Sequence, residues 1–176
     1  AKAAFEDKGE VKGASFTVGN ADIKLLSNLS SGTSNENLVD TKDGPVFSNV
    51  YSSWTSDYGV KVYNGGTLKF NLNSESFYET ANDPDGLREY IYVEVFKWND
   101  VNNNGIVDSY EIPESSLAKK TILKWKTEGI AIGEIDSGET LGLLFRFSVE
   151  NMSSTKQGKE ASYDFVLNAT TDGVTQ

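Results

Sequence analysis

Apolar and polar residues alternate with a period of two along most of this chain. In "LLFRFSVE", Leu143, Phe145, Phe147 and Val149 share one face, while Leu144, Arg146, Ser148 and Glu150 share the other. That alternation predicts a half-buried strand. "GTLKFNL" repeats it with Leu68, Phe70 and Leu72 inward, and "SYDFVLNA" with Tyr163, Phe165 and Leu167. "REYIYVEVFKW" carries Ile91, Val93 and Val95 on one face and Tyr92, Phe96 and Trp98 on the other, which predicts a central strand covered on both faces. Weaker strand signals are "ASFTVG", "ADIKLL", "PVFSNVY", "YGVKVY", "TILKW" and "GIAIGEI", separated by the turn clusters "SSGTSNEN", "KDGP", "NGG" and "NDPDG".

Roughly eight to ten short strands with turns between them predict an all-β, antiparallel sandwich or jelly roll with little helix. The best helical stretch is "PESSLAKK" at 113–120, with Pro113 suited to a first turn, and "SNLSSG" reads as a turn. At 176 residues the chain fits one domain, here 13–176, with no internal repeat or low-complexity linker. Residues 1–12, "AKAAFEDKGEVK", stand apart because their only large apolar side chains are Phe5 and Val11. Two readings stay open for them: a terminal tail, or a strand that pairs with a sheet edge of another molecule.

"DVNNNGIVDSYE" (100–111) fits a calcium-binding loop at every motif position. Asp100, Asn102, Asn104, Asp108 and Glu111 are the side-chain ligands, Ile106 offers its backbone carbonyl, and Gly105 permits the sharp turn. Val107 occupies the place where an apolar side chain packs into the protein. An Asn/Asp/Gly-rich turn that binds nothing is the alternative. The flanks are a strand ending at Trp98 and a break at Pro113, so there is no helix pair of the kind that a calcium sensor moves. Three carboxylates predict weak affinity, on the order of 10⁻⁴ to 10⁻³ M as in extracellular modules, and hence a structural brace.

Composition narrows the remaining chemistry. The chain has no Cys and no His, which removes disulfides, Cys/His zinc sites and His-dependent triads. Its 26 acidic and 16 basic residues give a net charge of −10, a surface that repels nucleic acid. No apolar run approaches the roughly 20 residues of a membrane-spanning helix. Ala1, without an initiator Met, suits the small residue left by secretory processing. "NDPDG" reads as a Pro-Asp-Gly turn whose Asp83 and Asp85 could assist a second ion. Sequons at Asn28, Asn151 and Asn168 are candidates for glycosylation, with Asn168 on the face opposite Tyr163, Phe165 and Leu167 and so expected to be exposed. Trp54, Tyr58, Trp98 and Trp125 read as core residues before sugar-stacking ones.

Three stretches in order, "AAFEDKGEVKGASFTVGNADIKL", "YGVKVYNGGTLKFNL" and "SYDFVLNATTDGVTQ", together resemble the TasA/camelysin family of secreted matrix-fibre proteins, whose relatives include archaeal bundling pilins. Residues 82–120 depart from that pattern, and the calcium loop is not a family hallmark. The resemblance implies an exported jelly-roll subunit, cleaved near Ala1, that polymerises with itself into extracellular filaments and bundles. It also implies that residues 1–12 are an extended donor strand entering the sheet of the next subunit, with Ala1, Ala3, Phe5 and Val11 at the contact. The metalloprotease activity described for camelysin-type proteins is not expected of a chain without His or an HExxH motif. No nucleophile, base or cofactor motif marks an enzyme. The alternative expectation is a monomeric, calcium-stabilised carbohydrate-binding or adhesive sandwich, which requires an exposed row of aromatics.

Overall fold

The computed structural model describes residues 13–171. The alternating stretches form two packed sheets, an all-β sandwich. The first sheet runs in the order β4 (Thr41–Val46), β1 (Gly13–Val18), β11 (Tyr163–Thr171), β6 (Phe70–Phe77) and β9 (Ile130–Ile135). The second runs β3 (Leu38–Val39), β2 (Ile23–Leu26), β5 (Thr55–Asn64), β10 (Thr140–Val149), β7 (Ile91–Trp98) and β8 (Ala118–Thr121). Among the described residues every strand pairing is antiparallel except one: β1 and β11 run parallel, with Phe16 opposite Phe165. That parallel pair departs from the antiparallel expectation, and period-two patterning carries no information about strand direction.

The core between the sheets is built on the inward faces that the alternation predicts. Phe145 meets Phe16 with ring centroids 4.8 Å apart, and Phe147 meets Phe165 at 5.5 Å, both edge-on. Such pairs add about 0.5–1.5 kcal/mol beyond the area they bury. The single α-helix among the described residues, α1 (Ile122–Thr127), closes the sandwich beside β6. Its buried side chains, Ile122 and Trp125, are three residues apart, on one helical face. Trp125 reaches the core and donates from its indole N–H to Ser74 Oγ at 3.2 Å.

Four local expectations are overturned. "TILKW" supplies the helix, because Thr121 caps it by accepting from the Lys124 N–H at 3.3 Å. Residues 118–120 of "PESSLAKK" belong to β8, paired to β7. "KDGP" lies within edge strand β4, where Pro45 needs no partner on the open side. Leu68 is 58% exposed, since β6 begins at Phe70.

The outward faces of the two sheets differ. On the second sheet, Phe96, Trp98 and Leu144 form a separate small apolar cluster with Leu29, Val107 and Ile112. On the first, Ser15 and Thr17 donate their hydroxyls to Asp164 Oδ1 at 3.0 and 2.9 Å. Ser15, Thr17, Asp164 and Val166 are all at most 5% exposed.

Candidate functional site

The loop from Asp100 to Glu111 leaves the end of β7 and crosses the outward face of the second sheet. Val107 anchors it on Phe96, Trp98 and Leu144, as its position in the motif predicts. Gly105 adopts φ +73°, and a Cβ there would stand 2.7 Å from Ser30 N. Only glycine lets the turn settle against the Leu29–Ser30 backbone.

Inside the loop the ligand residues of the motif bind one another and the backbone. Asp100 Oδ1 accepts from Asn104 N at 3.2 Å, and Oδ2 from Gly105 N at 2.8 Å. Asn102 Oδ1 accepts from Asn104 N at 3.0 Å, and Asn104 Oδ1 from Ile106 N at 2.8 Å. The amide nitrogens of Asn102 and Asn104 both donate to Asp108 Oδ2, at 3.0 and 3.1 Å. Glu111 is buried and ties the loop shut: it accepts from the Trp98 indole at 2.8 Å, from Val101 N at 3.1 Å and from Asp108 N at 3.1 Å. Among the described residues no three acidic side chains are gathered around one point.

Two participants were not legible in the motif. Lys61, on β5, donates to Asp100 Oδ2 at 2.9 Å and to Leu29 O at 2.9 Å, with its ammonium 5.2 Å from the Trp98 ring centroid. The Trp98 indole is the second. No spacing rule connects residues 61 and 98 to a loop that starts at 100; only the register Gly142↔Lys61 and Gly142↔Trp98 across β10 brings them together. Burial alone would raise the Asp100 carboxyl. The Lys61 bond and charge, with the N–H groups of Gly105 and Asn104, outweigh it and hold the carboxyl below its usual range.

This donor set is compatible with a calcium ion in one respect. Carbonyl and carboxylate oxygens have two lone pairs each, so Asp100 Oδ1, Asn102 Oδ1 and Asn104 Oδ1, each accepting one N–H, keep acceptor capacity, whereas Asp100 Oδ2 already accepts from both Gly105 and Lys61. Ile106 N is bonded to Asn104, which fixes the turn from which the Ile106 carbonyl would be offered.

The other candidates separate clearly. Asp83 is fully buried and accepts from Leu87 N at 2.8 Å, Arg88 N at 3.0 Å and the Arg88 guanidinium at 3.1 Å, so it organises the 83–88 turn. Gly86 N–H donates back to Asp83 O at 3.2 Å, closing the turn that "NDPDG" predicts. Asn28 and Asn151 are exposed. Asn28 sits in a turn in which Ser30 N and Oγ donate to its Oδ1 at 3.0 and 2.8 Å. Asn168 is only partly exposed, short of the exposure expected for it, and donates to Asn73 Oδ1 on the neighbouring strand at 3.4 Å. Trp98 and Trp125 are buried, while Trp54 and Tyr58 pack against the core. Tyr51 and Tyr110 are the large exposed aromatics among the described residues. Ala1, Ala3, Phe5 and Val11 lie outside the described residues.

Among the described residues no helix is long and apolar enough to cross a membrane. Compared with known proteins, the chain matches no family profile, and no curated protein is similar to it in sequence.

Proposed function

We propose that the protein is a structural subunit of an extracellular filament, exported and self-associating, in which residues 1–12 of one subunit add to a sheet of the next. The observation that carries this reading is the unequal protection of the sheet edges. Strand edges invite pairing unless they are short, charged or interrupted by Pro. β3 has two residues, β8 carries Lys119 and Lys120, and β4 carries Lys42, Asp43 and Pro45. β9, "IAIGEI", has six residues and a single charge, Glu134. It is the edge best suited to accept an extended segment, and the resemblance of "AAFEDKGEVKGASFTVGNADIKL" to matrix-fibre proteins supplies the donor. A head-to-tail contact of this kind does not close on itself and so propagates as a fibre.

The Asp100–Glu111 loop serves this subunit as a calcium brace. Asp100, Asn102, Asn104, Asp108, Glu111 and the Ile106 carbonyl would hold the ion. Calcium there supplies positive charge that draws the loop oxygens together. Lys61 already places one positive charge on Asp100, which weakens the site and fits an ion taken from a calcium-rich exterior. The monomeric sugar-binding alternative needs an exposed aromatic row. Tyr51 and Tyr110 lie on separate loops, and the Trp side chains are committed to the body.

Deleting Ala1–Lys12 tests the filament reading. The truncated chain is expected to remain folded by circular dichroism and to form no filaments in electron micrographs. Filaments of normal length from it would refute the donor role.

A further inference from the structure

Asn-Gly occurs twice in the chain, at Asn64-Gly65 and at Asn104-Gly105. In this dipeptide the asparagine side chain is open to attack by the next backbone nitrogen, because glycine puts no side chain in the way. The fold treats the two sites in opposite ways. Asn64, at the end of β5, is fully buried. Its amide donates to Leu68 O at 2.8 Å and to Ile135 O at 3.1 Å, and its Oδ1 accepts from Gly66 N at 2.9 Å. The Gly65 N–H, whose nitrogen would have to attack, is tied to Asp22 O at 2.8 Å. An acid at this position would aim a carboxylate at two carbonyl oxygens inside the protein. Asn104 is exposed, on the rim of the Asp100–Glu111 loop. Its side-chain bonds, to Asp108 Oδ2 at 3.1 Å and from Ile106 N at 2.8 Å, stay within the loop, as does the bond from Gly105 N to Asp100 Oδ2 at 2.8 Å. A local opening of the loop therefore frees both reacting groups without disturbing either sheet, whereas Asn64 is released only when the strand ends come apart.

We infer that Asn104 is a site of spontaneous deamidation, selected over Asn64 by the fold, and that its aspartate product binds calcium more tightly than the fresh loop. Solvent hydroxide takes the Gly105 N–H proton, and the nitrogen forms a bond to Asn104 Cγ. The Cγ–Nδ2 bond breaks, and the amide leaves as ammonia with a proton from water. Water then opens the succinimide ring, at Cγ to leave an aspartate or at the backbone carbonyl to leave an isoaspartate. Neither step changes an oxidation state. In the aspartate an oxygen replaces the Nδ2 that donated to Asp108 Oδ2. Two carboxylates then repel each other in the empty loop, and a calcium ion meets four carboxylates in place of three. The isoaspartate instead adds a backbone methylene beside Gly105, which is packed against the Leu29–Ser30 backbone, so that branch loosens the loop. The gain in calcium affinity rests on the reading of this loop as a calcium brace; the deamidation does not.

Trypsin separates the two sites, since Lys61 and Lys69 bound a peptide of residues 62–69, and Lys97 and Lys119 one of residues 98–119. The full chain is aged in warm, mildly alkaline, calcium-free buffer, and both peptides are followed by mass spectrometry. Acid at Asn104 is expected to accumulate at least tenfold faster than at Asn64, and in concentrated urea the two rates should come within about threefold of each other. Three results overturn the inference: equal rates in the folded chain, a difference that persists undiminished in urea, or conversion within 98–119 at Asn99, Asn102 or Asn103 in place of Asn104. Asn104→Asp tests the consequence. Its dissociation constant for calcium should lie at least threefold below that of fresh wild type, and its melting temperature in chelator should be lower. An unchanged constant overturns the gain in affinity. Calcium binding by neither protein overturns the brace along with that gain, while the peptide masses still decide the deamidation.

Discussion

The outward face of the second sheet presents Phe96, Trp98 and Leu144 to the Asp100–Glu111 loop, whereas the outward face of the first presents Ser15, Thr17 and Asp164 to one another. Both are withdrawn from water, by different chemistry. On the second sheet the cover is an adjacent loop, fixed by apolar contact and by a carboxylate, Glu111, that gathers three N–H groups. On the first, the Ser15 and Thr17 hydroxyls both donate to Asp164 Oδ1 within the sheet itself. The second sheet's outward face is held by apolar packing, and the first sheet's by hydrogen bonds between neighbouring strands.

The largest expected effect separates the two faces directly. Trp98→Ala removes the centre of the apolar cluster and one donor to Glu111, and should cost about 3–5 kcal/mol in urea denaturation, while Ser15→Ala, which removes one hydrogen bond, should cost about 0.5–1.5 kcal/mol. Equal costs would erase the distinction. Chelation of calcium comes next: at ion concentrations ten- to thirtyfold above the dissociation constant, binding stabilises by about 1–2 kcal/mol, so a chelator should lower the melting temperature by a few degrees with no change in circular dichroism. Glu111→Gln cannot stand in for that test, because it disturbs three N–H partners whether or not an ion is bound. Asn104→Ala, at the exposed rim, is the better variant, and its melting temperature should lose most of the calcium response.

Acid sensitivity should trace to the same loop. The Asp100 carboxyl is held below the unfolded value near 4, so its contribution is fully present above that pH and is lost as pH falls through the lower folded value. Melting temperatures of wild type and Asp100→Asn should converge at low pH and separate above about pH 5. A constant gap would show that Asp100 acts through shape alone. The smallest effect on stability is expected at the β9 edge: Ala131 is exposed, and Ala131→Lys should change stability by no more than about 0.5 kcal/mol while reducing filament mass in sedimentation. Unchanged filament mass would move the acceptor away from β9.

Much of this was written in the alternation. Leu143, Phe145, Phe147 and Val149 turn inward as their spacing predicts, and the two-faced apolar content of "YIYVEVFKW" foretold a strand covered on both sides. Val107 was placed by motif position alone. What the sequence hid depends on neighbours distant along the chain. Ile122 and Trp125 fit a strand or one helical turn equally well by composition, and the Thr121 cap decides. Ser15, Thr17 and Asp164 look like solvent-facing positions until β1 and β11 are set side by side in parallel. Lys61 joins the calcium loop only through the register of β5, β10 and β7.

The central claim, that one subunit's N-terminal segment completes the next, is tested most directly with a synthetic peptide of sequence AKAAFEDKGEVK added in excess to dissociated subunits. The account predicts that the peptide occupies the acceptor and halts elongation, read as a collapse of light scattering, and that the same peptide with Phe5→Ser does not. Elongation that proceeds unchanged in the presence of the unaltered peptide would contradict it.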